Sequence, residues 1–121
     1  MIVDAHVYLG QCLFGYGLSL ADILAGMDHL EIDRAVLAPV KPPEYHLGPA
    51  NDLVAQAVQE HPERFLGLCR VDPWQGDAAV DEVRRGFEEL GACGLYLDPW
   101  EENFQANDDV VVPVLEVAGC Y

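Results

Sequence analysis

Apolar positions along the chain change period several times, and each change marks an element. Residues 2–9, "IVDAHVYL", alternate, with Val3, Ala5, Val7 and Leu9 on one parity and Asp4, His6 and Tyr8 on the other. A strand has a side-chain period of two, so the first set would face helices and the second the opposite side. Three later runs are equally short and aliphatic: "RAVLAPV" at 34–40, "FLGLCRVDP" at 65–73 and "ACGLYLDPW" at 92–100. All four read as strands.

The intervening segments carry helical spacing. "SLADILAGMDHL" puts Leu20, Ile23, Leu24, Met27 and Leu30 on one stripe, and Ser19 with Asp22 forms a capping-box start. "NDLVAQAVQEHP" groups Leu53, Val54, Ala57 and Val58 and stops before Pro62. "DAAVDEVRRGFEELG" aligns Val80, Val83, Phe87 and Leu90, with Asp77 as its N-cap and Gly91 as its stop. A fourth helix starts near Pro113. The strand starts recur at about 30 residues, the size of one βα unit. The expected fold class is therefore α/β: four βα units with parallel strands, in one partial domain over residues 1–121. No glycine-rich phosphate loop follows any strand, so a nucleotide-binding sheet loses support.

Composition narrows the function classes. With 121 residues, 51% of them hydrophobic, the chain is expected to fold. Six basic against 21 acidic residues give a net charge of -15, which repels nucleic-acid phosphates and anionic lipids. No apolar run approaches the roughly 20 residues of a membrane span, and no leader pattern is evident, so the cytoplasm is the expected compartment. Cys12, Cys69, Cys93 and Cys120 form no C-x-x-C pair. Cys69 and Cys93, in apolar stretches, are expected in the core.

Candidate chemistry gathers where the strands end, the edge that carries function in parallel α/β folds. His6 is either a metal ligand or an inner-face histidine bonded to Asp4 or the backbone. Tyr8 is either a proton donor or a packed phenol with a satisfied hydroxyl. The repeated Asp-Pro-Trp places Asp72 with Trp74, and Asp98 with Trp100, at two strand ends. The aspartates suit pocket or turn roles, and the indoles suit a pocket wall or rim cover. The loop "KPPEYHLGP", 41–49, is either a lid that brings His46 and Lys41 to a carboxylate or a stiff connector. His29 and His61 fall at the opposite edge and are expected on the surface.

"MIVDAHVYLG", "MDHLEIDRAVLAPV", "NDLVAQAVQEHPERFLGLCRVDP" and "ELGACGLYLDPW" together resemble the amidohydrolase-related metal-dependent hydrolases, in particular the branch of aromatic-acid and semialdehyde decarboxylases. That family opens on D-x-H-x-H and continues through "GIDRAV" and "N-D…HP-x-RF-x-G…VDP". The resemblance implies a (β/α)8 TIM barrel, which takes about 250 residues, so this chain reads as its N-terminal half, stopping within the fourth helix. It implies a hydrolase or decarboxylase acting on a small organic acid or cyclic amide, with zinc or manganese as the metal. Asp4 and His6 match the opening motif, while Tyr8 stands where the second histidine belongs. Tyr96 and Asp98 stand where lysine and histidine are usual, and the family's later metal-binding and catalytic residues fall beyond position 121. The resemblance carries over Asp4 and His6 only, with His6 as the metal candidate; the strand-end reading adds Tyr8 and Asp98 as catalytic candidates and Asp72, Trp74, Trp100 and His46 as substrate-binding candidates. The rival expectation is an inactive half-barrel whose open strand edges pair with a second copy in a homodimer.

Overall fold

The computed structural model describes residues 1–121. Five strands and four α-helices follow one another: β1 (Val3–Gln11), β2 (Gly17–Leu18), α1 (Leu20–His29), β3 (Arg34–Pro39), α2 (Leu47–Glu60), β4 (Phe65–Arg70), α3 (Asp77–Glu88), β5 (Gly94–Tyr96) and α4 (Val112–Ala118). They build one sheet of order β2-β1-β3-β4-β5. β1, β3, β4 and β5 pair in parallel, so the four expected βα units are present. The short β2 pairs antiparallel with the end of β1, matching Gly10 to Leu18 and Gln11 to Gly17. It was not foreseen because two residues carry no periodic signal.

Alternation along the strands sorts side chains onto two faces. Leu9, Ala35, Leu37 and Phe65 pack with Ile23 and Met27 of α1 and Val54 and Ala57 of α2. A second cluster joins Cys69 and Val71 to Ala79 and Val83 of α3, then to Phe104, Val111 and Val114 near α4. The opposite parity, Tyr8, Arg70 and Tyr96 among it, occupies the other face. The expected burial of the β1 apolar set holds only in part. Val7 and Leu9 meet the core, but Val3 and Ala5 are exposed. The register with β3 shifts between Asp4 and Val7, and the extra residue interrupts the alternation there.

Several boundaries differ from the sequence reading. The third and fourth strands end at Arg70 and Tyr96, because each Asp-Pro that follows turns the chain away from the ladder. α2 begins at Leu47, inside the expected loop, and His46 is its N-cap. The N-cap of α3 is Gly76, at φ 58°, and Asp77 sits in the first turn instead. Cys93 is exposed, while Cys69 is buried. Other expectations hold: Ser19 and Asp22 form a reciprocal capping box, and Gly91 adopts φ +67° just past α3. His29 is exposed; His61 is half-buried, edge-on to Phe65 with centroids 6.1 Å apart. All four cysteines are free, and no helix is long and apolar enough to cross a membrane.

Close approach of α3 to β4 depends on Gly86. A Cβ there would lie 2.6 Å from Cys69 Sγ and 2.7 Å from Cys69 Cβ. Gly26 of α1, by contrast, has open space around it. Gly86→Ala should therefore destabilise the fold by about 1–3 kcal/mol through overpacking, whereas Gly26→Ala should stabilise it by about 0.5–1 kcal/mol through helix propensity. Urea unfolding of both variants checks the pair, with opposite shifts in midpoint expected.

Candidate functional site at the carboxyl edge of the sheet

Arg70 ends β4 with its side chain entirely buried. Its Nη2 donates to Glu101 Oε2 at 2.6 Å and to both oxygens of Glu102, at 2.8 and 3.0 Å; Nη1 donates to the Pro39 carbonyl at 3.2 Å. Lys41, just past β3, donates to the Glu101 carbonyl at 2.9 Å and stands 3.4 Å from Glu102. Burial opposes the Arg70 charge, but the hydrogen bonds and charges of Glu101 and Glu102 outweigh it and hold the guanidinium protonated beyond its ordinary range. The backbone of Arg70 is also clamped: its N–H donates to Asn51 Oδ1, and Asn51 Nδ2 donates back to its carbonyl. One buried cation thus ties the ends of β3 and β4 to the turn after β5.

Above this cluster lies a line of hydroxyls. The Arg70 guanidinium sits 5.4 Å from the Tyr96 ring centroid. Tyr96 Oη donates to Asp98 Oδ2 at 3.2 Å and lies 2.5 Å from Tyr8 Oη. Burial, then the charge of Asp98 and the hydrogen bond Tyr96 donates to it, push the Tyr96 phenol above its usual range. His6 packs against both rings, with centroids 4.5 Å from Tyr8 and 5.2 Å from Tyr96. A cavity of about 430 Å³ opens beside Tyr8, lined also by Cys12, Tyr16, Leu18, Lys41, Arg70 and Glu101.

The sequence-predicted residues divide accordingly. His6, Tyr8 and Asp98 come together through Tyr96, and Tyr8 lines the cavity. Asp98 also caps its own turn, its Oδ1 accepting from the backbone of Trp100 and Glu101. Asp72 accepts from the Trp74 N–H at 3.0 Å in the same manner, so the repeated Asp-Pro-Trp is a repeat of turn chemistry. Trp74 Nε1 donates to the Asn103 carbonyl, and Trp100 is 91% exposed. His46 lines a separate cleft with Pro42, Glu44 and Leu53. Sequence reasoning missed Arg70, Tyr96, Glu101 and Glu102. The available signal was a lone arginine ending an otherwise apolar strand in a chain poor in cations.

No family model matches the chain. Two curated proteins align with part of it. The 2-amino-3-carboxymuconate-6-semialdehyde decarboxylase of Dictyostelium discoideum is 32% identical over 66 residues, 54% of this chain and 18% of that protein. The gamma-resorcylate decarboxylase of Rhodococcus jostii (strain RHA1) is 33% identical over 54 residues, 45% of this chain and 16% of that protein. Among solved structures, the 5-carboxyvanillate decarboxylase of Novosphingobium aromaticivorans, complexed with manganese and 4-hydroxy-3-methoxy-5-nitrobenzoic acid, superposes with a TM-score of 0.79 at 19% identity. That match covers 97% of this chain and 47% of the decarboxylase. The fold is thus that of about half of a TIM-type α/β barrel. The resemblance to the amidohydrolase-related decarboxylases holds in sequence over about half of this chain and in fold over nearly all of it.

That neighbour holds manganese; in this chain the candidate donors are few. His6 supplies one imidazole, and the next residue on its face is Tyr8, whose hydroxyl is engaged with Tyr96. No three histidine, cysteine or acidic side chains converge as a metal site. The donor set of these 121 residues does not fit a metal ion by itself.

Two expected outcomes follow from this geometry. Arg70→Met leaves Glu101 and Glu102 without their main counter-charge and should cost about 3–5 kcal/mol of stability, read by urea unfolding. The raised Tyr96 phenol contributes stability that is fully present below the ordinary phenol value near pH 10 and is lost as pH rises through its elevated value. Alkaline unfolding should therefore be less steep in Tyr96→Phe than in the parent, measured by circular dichroism from neutral to strongly basic pH.

Proposed function

We propose that this chain forms the N-terminal half of an amidohydrolase-like decarboxylase or hydrolase, and that its cavity holds a small organic acid. The observation that carries the reading is the cavity at the carboxyl edge of the parallel strands, which Tyr8, Lys41 and Arg70 line together. Chemistry gathers at that edge in α/β barrels, and the aligned relatives are decarboxylases of organic acids by name. In this reading Lys41 meets the substrate carboxylate with an N–H not used by Glu101 or Glu102. Tyr8 contacts the substrate, and Asp98 acts on Tyr8 through Tyr96 as a positioning residue. Of these 121 residues His6 alone is a candidate metal ligand, and the donor set does not fit a metal ion by itself. The free cysteines and the acidic surface suit the cytoplasm.

Calorimetric titration of the purified chain with a set of aromatic monocarboxylates tests the assignment. Saturable binding is expected, weakened about tenfold, or roughly 1.4 kcal/mol, by Lys41→Met. No binding of any acid, or equal affinity in the variant, counts against it. A second reading, an inactive module that pairs with another copy, is favoured by Tyr8 in the histidine position and by β5 at an open edge of the sheet. A dimer by sedimentation equilibrium without acid binding would support that reading instead.

A further inference from the structure

The hydroxyls of Tyr8 and Tyr96 have one proton each, and their partners fix where those protons go. Asp98 Oδ1 already accepts two backbone N–H groups, from Trp100 at 3.1 Å and Glu101 at 3.0 Å. Asp98 Oδ2 has a single donor within hydrogen-bond distance, the Tyr96 hydroxyl at 3.2 Å; Arg70 Nη2 stands further off, at 3.8 Å. A carboxylate can only accept, so the Tyr96 proton belongs to Asp98. Turning that proton toward Tyr8 would strip a half-buried carboxylate oxygen of its hydrogen bond. The Tyr96 oxygen is then an acceptor for the 2.5 Å contact, and the Tyr8 proton is committed to it.

We infer that Tyr96 and Asp98 polarise Tyr8 into a hydrogen-bond acceptor toward the cavity, so that the ligand end seated there must carry a donor, an O–H or an N–H. Of the two roles the sequence left open for Tyr8, proton donor or phenol with a satisfied hydroxyl, this takes the second. It rests on the reading of the cavity as a site for a small organic acid, and it orients that acid. A carboxylate oxygen against Tyr8 would bring lone pairs together, and the ion cluster behind offers no relief. Two cations, Arg70 and Lys41, face three acidic groups, Asp98, Glu101 and Glu102. The carboxylate therefore goes to Lys41 and the hydroxyl or amine to Tyr8. Tyr96 is a positioning residue that sets this selectivity without meeting the ligand.

Two measurements decide it. The tyrosine Raman doublet, taken as the difference between the unlabelled protein and one carrying ring-deuterated tyrosine at Tyr8 alone, isolates the Tyr8 phenol and leaves its contact with Tyr96 in place. A donor pattern is expected; an acceptor pattern overturns the inference whether or not any acid binds. Calorimetric titration then compares para-hydroxybenzoate with para-fluorobenzoate, which has nearly the same shape and no proton to give. The parent should favour the hydroxy acid by about tenfold, and Tyr96→Phe, which frees the Tyr8 proton, should bring the ratio to within about threefold. A purely structural role for Tyr96 would weaken both acids alike and leave the ratio unchanged, which overturns the selectivity. If neither acid binds while the Raman pattern is that of a donor, the small-acid reading fails and the assigned direction of the Tyr8 hydroxyl stands.

Discussion

The buried guanidinium of Arg70 is the constraint on which the site depends. A fully desolvated cation is costly unless every neighbour is placed to receive it. Here Pro39, Glu101 and Glu102 converge on it, and Asn51 holds its backbone from α2. The consequence is mechanical as well as electrostatic. Three separate stretches of chain, the end of β3, the end of β4 and the turn after β5, are drawn to one point. The cavity beside Tyr8 takes its lower wall from that convergence.

The hydroxyl line of Tyr8, Tyr96 and Asp98 is built on the same support. Arg70 lies under the Tyr96 ring, and Asp98 sits within the turn that also carries Glu101 and Glu102. Hydrogen-bond direction passes outward from a carboxylate that is itself fixed by two backbone amides. The polarity of the cavity wall at Tyr8 is thus decided two residues away from the ligand. The same geometry separates this site from a two-histidine metal motif. A phenol in the second position spends its proton on a neighbouring phenol, and the imidazole of His6 packs against both rings.

Much of the fold was legible along the chain. Strand and helix periods placed all four βα units, and the Ser19–Asp22 capping box and the Gly91 stop were readable from residue types alone. The misses have local causes. β2 is too short to carry a period, and the register shift between Asp4 and Val7 breaks an alternation that the residues themselves keep. The two Asp-Pro-Trp segments were included in the strands, with pocket and turn roles both open for their aspartates. They are turns of one type, and only Asp98 adds a contact to the site.

By itself the sequence determined the βα repeat, the edge at which reactive residues would collect, and the acidic surface, because periodicity, turn chemistry and charge are local properties of the chain. The tertiary structure alone decided that Tyr8 meets Tyr96, 88 positions away, and that Arg70 is paired with Glu101 and Glu102. Such partnerships depend on which strands become neighbours and how far the turns between them reach. It also decided that His46, the N-cap of α2, lines another cleft with Pro42, Glu44 and Leu53.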